Sequence, residues 1–434
     1  MRGVTGGRAG RRWLPLLAVL ATVALVASAC GDDDGGGGTA SEGDADAASG
    51  SGGGGNGECD SPGVSDDQIK IGQLSSLTTP AAAFYGLHQA GFKARIDKLN
   101  DDGGIGGRQV VIETADDAAD INRATTTAAR ELVEQQDVFA VMVASSVIAG
   151  PASYLQDEGI PVVGYNVNPE WGVYDNMFGY SGSNSPEPVA TTTGGEFLTQ
   201  QGVERLAILG YAQTSAQAAA EGMQESFEAA GGEVVYNSTD APIGTSEWTT
   251  QAEEIASRGA DGLYLPIQTQ NALAAAAAVR QAGGDLKVTL FPAGYSPTTL
   301  EQAGDTAEGV YFSMDFVPFE VQLPAHQEML DALEQYAPDT PPAQEVAVGW
   351  IIGELLIRGL QEAGEECPTR EAFIENLRQV SDFDANGLLD PPVDFEASFG
   401  QPYGLCFHYV KVEGGEFVPV NDGEPICGEV VDEG

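Results

Sequence analysis

Val138–Asn168, VFAVMVASSVIAGPASYLQDEGIPVVGYNVN, is the stretch that decides the fold. Val138–Ala144 is a short apolar run rich in β-branched residues, the pattern of a strand buried on both faces. Ser145 and Ser146 follow where the run stops. Ile148–Glu158 has helical character and ends at Gly159, a residue suited to the left-handed stop of a helix. Ile160–Tyr165 is a second buried strand, followed by Asn166 and Asn168. A βαβ unit makes the two strands parallel and puts both carboxyl ends on one edge of the sheet. Ligands bind at that edge in open α/β sheets. Here it carries hydroxyls, amides and a free helix N-terminus, an inventory suited to holding a molecule rather than to changing one.

The same pattern extends upstream. Ile69–Leu74 (IKIGQL) reads as the first strand, Ala81–Asn100 as a helix, Gln109–Thr114 as the second strand and Ile121–Gln136 as a helix. Alternation of this kind predicts a parallel sheet covered by helices. After Tyr180–Pro188 (YSGSNSPEP) the series restarts. Strands are expected at Arg205–Gly210, Glu233–Asn237, Gly262–Ile267, Lys287–Phe291 and Val310–Ser313, with helices between them. Phe316–Pro324, with two prolines and no period, reads as a second crossing between lobes. Helices over Ala325–Tyr336, Glu345–Ala363 and Pro368–Val380 then precede a hairpin of Leu405–Val412 and Glu416–Val420. The expected architecture is α/β with two lobes, each a parallel sheet flanked by helices, joined by three segments that form a hinge. Lobe one takes residues 64–185 and 325–380. Lobe two takes residues 186–324 and 381–434 with the hairpin.

The 434 residues exceed a single compact core. Hydrophobic content of 42% fits a globular protein, and a net charge of −46 disfavours nucleic acid and anionic membrane surfaces as partners. Arg8, Arg11 and Arg12 precede an apolar run, Trp13–Ala29, that ends in Ala27-Ser28-Ala29-Cys30. Residues 1–29 therefore read as an export signal. The small residues before Cys30 resemble a bacterial lipobox, which would place a diacylglycerol chain on Cys30 and the protein on the outer face of the cytoplasmic membrane. Residues 30–63 are Gly-, Ser- and acid-rich, a composition that cannot bury enough apolar surface to fold, and read as a flexible tether.

Cys59, Cys367, Cys406 and Cys427 remain, an even set in an oxidising compartment, with three pairings open. In a doubly wound sheet Cys59 and Cys367 both fall at the edge away from the ligand, so the expected bonds are Cys59–Cys367 and Cys406–Cys427. No CxxC pair or neighbouring histidine suggests zinc. Gly103–Gly107 follows a helix and precedes a strand, the reverse of a phosphate loop. Asp382–Gly387 has the first half of a calcium loop, but Val393 stands where the bidentate glutamate belongs, so a structural turn is expected. His88, His326 and His408 are widely separated, and no GxSxG is present. Neither metal nor cofactor is expected.

Several stretches in order resemble the type I solute-binding proteins of ABC importers, in the branched-chain amino acid branch. They are IKIGQL followed by Tyr85-Gly86, then Lys98–Arg108 (KLNDDGGIGGR), Ala115-Asp116-Asp117, Ala144-Ser145-Ser146 and Ala307-Glu308-Gly309-Val310. The similarity runs from Ile69 to about Val420. It implies a non-enzymatic, two-lobed receptor that passes a small polar solute to a membrane permease, and the chain is expected to act as a monomer. It also implies contacts. Ser145 and Ser146 match the serine pair that holds a carboxylate, and Tyr85 matches an early tyrosine. Asn166 and Asn168 fall at the next contact. Tyr211, Thr214 and Ser215, Gln268, and Tyr295 lie in the matching loops of lobe two. Amino acid binders place an acid in the last of these loops, whereas Phe291–Tyr295 has none. Since an unpaired buried ammonium costs several kcal/mol, amides, ureas and short carboxylates fit as well as amino acids, unless Glu170 or Asp175 swings in. The alternatives are a sensing receptor of the same fold and, less favoured, an extracellular hydrolase.

Overall fold

The computed structural model describes residues 59–431 apart from 79–81, 119, 121–122, 146, 182–184, 186–188 and 402–404. The export signal, Cys30 and nearly all of the tether therefore lie outside the described residues, as does Ser146.

Two sheets are present. In the first, β1 (Gln68–Ser75), β2 (Gln109–Asp116), β3 (Ala140–Ala144), β4 (Val162–Gly164) and β5 (Met177–Gly179) run parallel in the order β2-β1-β3-β4-β5. The central register sets Ile71 opposite both Ile112 and Ala140. Helices α1 (Ala82–Asp101), α2 (Ala124–Arg130) and α3 (Ala149–Asp157) connect the strands, and α2 continues as a π-helical turn over Glu131–Gln135.

The second sheet is built from β6 (Arg205–Tyr211), β7 (Glu233–Ala241), β8 (Gly262–Tyr264), β9 (Val288–Phe291) and β10 (Val310–Met314), all parallel. The hairpin of β11 (Cys406–Glu413) and β12 (Glu416–Pro419) adds antiparallel to β10, and β13 (Ile426–Cys427) pairs with β11. Helices α4 (Thr193–Gln200), α5 (Thr214–Ala229), α6 (Thr249–Ser257), α7 (Thr269–Gln281) and α8 (Pro297–Ala303) flank this sheet.

The chain then returns. Helices α9 (Pro324–Tyr336) and α10 (Gln344–Glu362) pack on α1, and α11 (Arg370–Leu377) packs on α10. Sixteen of the nineteen residues of α10 are buried, so it reads as an almost continuous apolar run. Glycines inside both helices make the contact close. A Cβ at Gly349 would lie 1.9 Å from the carbonyl oxygen of His88, and one at Gly91 would lie 1.9 Å from that of Val346. Glycine lowers helix propensity by about 1 kcal/mol, and here the loss is offset by backbones that touch. Arg95 and Glu354 seal the crossing with a buried pair, Nε–Oε1 2.5 Å and Nη2–Oε2 3.1 Å.

Two features differ from the sequence reading. Strand β5 was not expected. It has only three residues and stands at the sheet edge, where Phe178 is covered by Phe395 and by the Arg378 guanidinium rather than by a periodic neighbour. Residues 381–399 are expected in lobe two, yet Phe383 and Phe395 of this stretch join the aromatic side chains of the first sheet. Phe395, in the short helix α12 (Phe395–Ser398), lies 5.7 Å ring to ring from Phe178, and Arg378 Nη1 donates to its carbonyl. An aromatic cluster of Phe178, Phe373, Phe383 and Phe395 holds this part of the loop in place.

Cys59 bonds Cys367, and Cys406 bonds Cys427. At Asp382–Gly387 the chain turns through Ala385, Asn386 and Gly387, all at positive φ, and Asp382 pairs with Arg358. No helix of the described residues is long and apolar enough to cross a membrane.

Gly349→Ala is expected to destabilise the protein by about 1–3 kcal/mol, since overpacking forces the two backbones apart. Chemical denaturation of the variant against wild type measures it. Gly86, whose added Cβ meets nothing within 4 Å, is the control, and Gly86→Ala is expected to be neutral or mildly stabilising.

Candidate functional site

The carboxyl ends of the first sheet carry Ser145, Tyr165, Asn166, Tyr180 and Ser181. Ser145 is buried, and its Oγ accepts from the Val147 N–H at 3.1 Å, a turn that begins the link to α3. Asn166 is wedged between the ends of β4 and β5. Its Oδ1 accepts from the Ser181 N–H at 2.7 Å, and a Cβ at Gly179 would collide with it. Tyr85 stands on the first turns of α1, edge-on to His88 at 5.5 Å between ring centroids. His88 meets Tyr165 at 5.8 Å, and Tyr165 meets Tyr180 at 6.1 Å. A continuous aromatic row therefore crosses the sheet edge. His88 is fully buried, and burial drops its pKa to about 3, so the ring is neutral.

One acid faces this row. Asp315 follows β10 directly, at the start of the second passage between the sheets. Its Oδ2 accepts from Ser181 Oγ, and the Tyr165 hydroxyl also donates to the carboxylate. Protein atoms crowd the carboxyl closely, although the residue keeps some exposed surface. Burial raises its pKa from 3.8 to about 7, against the opposing pull of its own backbone N–H and of Tyr165. Burial and the neighbouring Asp315 charge raise the Tyr180 hydroxyl well above its usual value.

The second sheet's edge holds a separate set. The Tyr211 hydroxyl accepts from Asn271 Nδ2 at 2.6 Å, and the same amide nitrogen reaches Gln268 Oε1 at 3.3 Å. Asn271 thus brings Tyr211 and Gln268 together, and Tyr211 lies along Trp248 with ring centroids 6.3 Å apart. Ser215 is exposed at the start of α5. Tyr295 is engaged elsewhere. It is 2% exposed, donates to Glu320 Oε2 at 2.6 Å, accepts from the Phe319 N–H at 2.9 Å, and packs between Phe319 and Phe417. Its groups are spent on the second passage.

Tyr180, Ser181, Asn271 and Asp315 of this region were not singled out in the sequence. Asp315 had a signal, a lone acid directly after the buried run Val310–Met314, in the same strand-end position as Ser145 and Asn166. Among the described residues no cluster of three or more His, Cys, Asp or Glu is arranged to hold a metal.

The family model of periplasmic binding proteins matches residues 68–416. The leucine-, isoleucine-, valine-, threonine- and alanine-binding protein of Pseudomonas aeruginosa is 24% identical over 327 residues, 72% of this chain and 83% of that protein. The structure of a branched-chain amino acid ABC transporter protein from Thermus thermophilus with bound valine aligns with a TM-score of 0.68 and 15% identity, over 83% of this chain and 97% of that one. A solute-binding protein from R. palustris in complex with benzoate aligns with a TM-score of 0.66 and 19% identity, over 84% and 98%. At these identities the structural neighbours show a shared fold.

The Asp315 carboxyl makes stability depend on pH. Between about pH 4 and pH 7 the unfolded chain has lost this proton and the folded chain keeps it, so stability falls as pH rises through that window. A rise from 3.8 to about 7 corresponds to at most on the order of 4 kcal/mol. Asp315→Asn removes the dependence. Thermal melts from pH 4 to 8 are expected to show the variant gaining on wild type as pH rises, with the difference level above about pH 7.

Proposed function

The chain belongs to the periplasmic binding protein family, and from that premise we propose that it captures a small polar solute between its two lobes and presents it to an ABC permease. The observation that carries this reading is the pair of polar sets on the carboxyl ends of two separate parallel sheets. Ser145, Asn166 and Tyr85 belong to one, and Tyr211, Ser215 and Gln268 to the other. A ligand that touches both sets favours the state in which they approach, and its differential affinity supplies the driving force. Ser145 and Ser146 are the proposed carboxylate or carbonyl contacts, aided by the N–H groups that open α3.

The relative from P. aeruginosa is named for five amino acids and the R. palustris neighbour binds benzoate. We assign this chain to the range those names span: amino acids, amides, ureas and short carboxylates. Lipidation of Cys30 would hold it at the outer face of the cytoplasmic membrane, with the acidic tether giving reach. Solute-binding proteins of this family are receptors, and no bond is made or broken in this reading.

A thermal-shift screen of these four classes tests it. A true ligand at 100 times its dissociation constant is expected to add about 2.7 kcal/mol. Ser145→Ala is expected to weaken a carboxylate ligand by about 1.5–3 kcal/mol, the worth of a hydrogen bond to a charged group, with the fold intact by circular dichroism. Multiple turnover of any probe, or binding confined to metals or sugars, overturns the reading. Cys30→Ser is expected to move the protein from the membrane fraction to the medium.

A further inference from the structure

A cavity of about 150 Å3 lies where the lobes are joined, and each of the three links between them supplies part of its wall. Tyr180 and Ser181 follow β5, and Asp315 follows β10, so they open the first and second links. Leu389 and Val393 lie on the stretch that runs from α11 to β11, and Leu405 and Phe407 stand where that stretch enters β11. The mouth is marked by Asp390 and Pro391, which are exposed. None of the solute contacts assigned above lines this space.

Its walls are mostly apolar. Tyr180, Leu389 and Val393 are buried, whereas Leu405 and Phe407 keep part of their surface uncovered. Covering such surface is favourable in proportion to its area. The polar groups offer little to a guest. Ser181 donates its hydroxyl to Asp315 Oδ2, and Asp390 stands in solvent at the mouth. A buried water needs about two to four polar partners, which aliphatic and aromatic walls do not supply. Two acids and no lysine, arginine or histidine are among the lining residues, so an anion is repelled. A dry cavity of about 150 Å3 with Leu, Ile and Phe walls admits benzene or xenon.

We propose that this cavity is a binding site, separate from the solute site, for a compact neutral apolar molecule of about benzene's size, and that a molecule seated there holds the three links in the arrangement seen here. The second and third links already meet beside it, where the Val317 N–H donates to the Leu388 carbonyl at 2.8 Å. Rotation of one lobe on the other moves the links past each other and so reshapes the space they enclose. An occupant that fits one shape favours the hinge angle that goes with it. A solute whose binding depends on that angle is coupled to the occupant by the same factor in both directions.

Crystals of the exported chain under xenon pressure, and calorimetry with benzene, test the site. Xenon density is expected between Leu389, Val393, Leu405 and Phe407. Leu405→Trp, which fills the space from its half-buried side, is expected to weaken benzene by about tenfold or more with the fold intact by circular dichroism. Piperidinium, a charged ring of similar size, is expected to bind about tenfold more weakly than benzene or worse, since its charge is not paired there. Hydrogen exchange reads the links. The Ser181 N–H is held by Asn166, that of Val317 by Leu388 and that of Gly428 by Leu405. With benzene at about ten times its dissociation constant these three amides are expected to exchange about tenfold more slowly, while those of β2, at the far edge of the first sheet, keep their rates. A cavity without xenon, a benzene affinity unchanged in folded Leu405→Trp, or piperidinium bound as tightly as benzene overturns the site. Benzene that binds without slowing the Ser181 and Val317 amides overturns its hold on the links. If Leu405→Trp does not fold, xenon density and amide exchange in wild type decide. No readout uses a solute, so the result is independent of the receptor reading.

Discussion

Helices α1 and α10 touch backbone to backbone, and the rest of the structure depends on that contact. The two segments lie more than 240 residues apart in the chain, and between them runs the whole second sheet up to β10. Gly91 and Gly349 remove the side chains that would hold the helices apart, and the buried Arg95–Glu354 pair sets their register. A buried ion pair gives up much of its attraction to desolvation, so its value here lies in specifying one alignment of the returning helix. That alignment in turn points the first residue of α10, Gln344, at the ends of β9 and β10, where its amide bonds Pro292 and Ser313. Packing deep in one lobe thereby fixes a polar group at the joint with the other.

The joint combines polar bonds with apolar packing, since Phe316, Val317 and Leu388 are buried there. Ser181 after β5 bonds Asp315 after β10, and the Val317 N–H bonds the Leu388 carbonyl. His326 bridges Leu323 and Val317 with its two ring nitrogens, locking the second passage onto the start of α9. Bonds of this type are exchanged with water at modest net cost. A hinge can re-form such bonds as it changes angle, whereas the backbone contact of α1 and α10 has no such exchange.

Much of this was legible in the sequence, for a physical reason. Strands buried on both faces leave unbroken apolar runs, and Val138–Ala144, Arg205–Gly210 and Val310–Ser313 announce themselves by composition alone. The restart of the βα series after Pro188 is visible on the same grounds. What escaped is tertiary. Strand β5 owes its existence to Phe395 and Arg378 from beyond α11, and nothing within Met177–Gly179 records them. Tyr295 sits at a strand end that suggests a ligand contact, but Glu320 and Phe319, a passage away, claim its hydroxyl. Asp315 lies outside the loop after β9, where the family resemblance places an acid. Only the fold shows that the residue after β10 faces Tyr165 and Tyr180 across the sheets.

The bond between Cys59 and Cys367 closes a loop over a sequence separation of 308 residues, and the second lobe up to β10 lies wholly inside that ring. A single protease cut anywhere in this stretch, an exposed loop of the second sheet included, yields two pieces that stay covalently attached. Tension applied to the chain ahead of Cys59 is likewise carried across the sulfur bridge to the turn between α10 and α11, so β1 is not peeled from its sheet. Whenever the pull comes from that leading end, the load path bypasses the strand that would otherwise fail first.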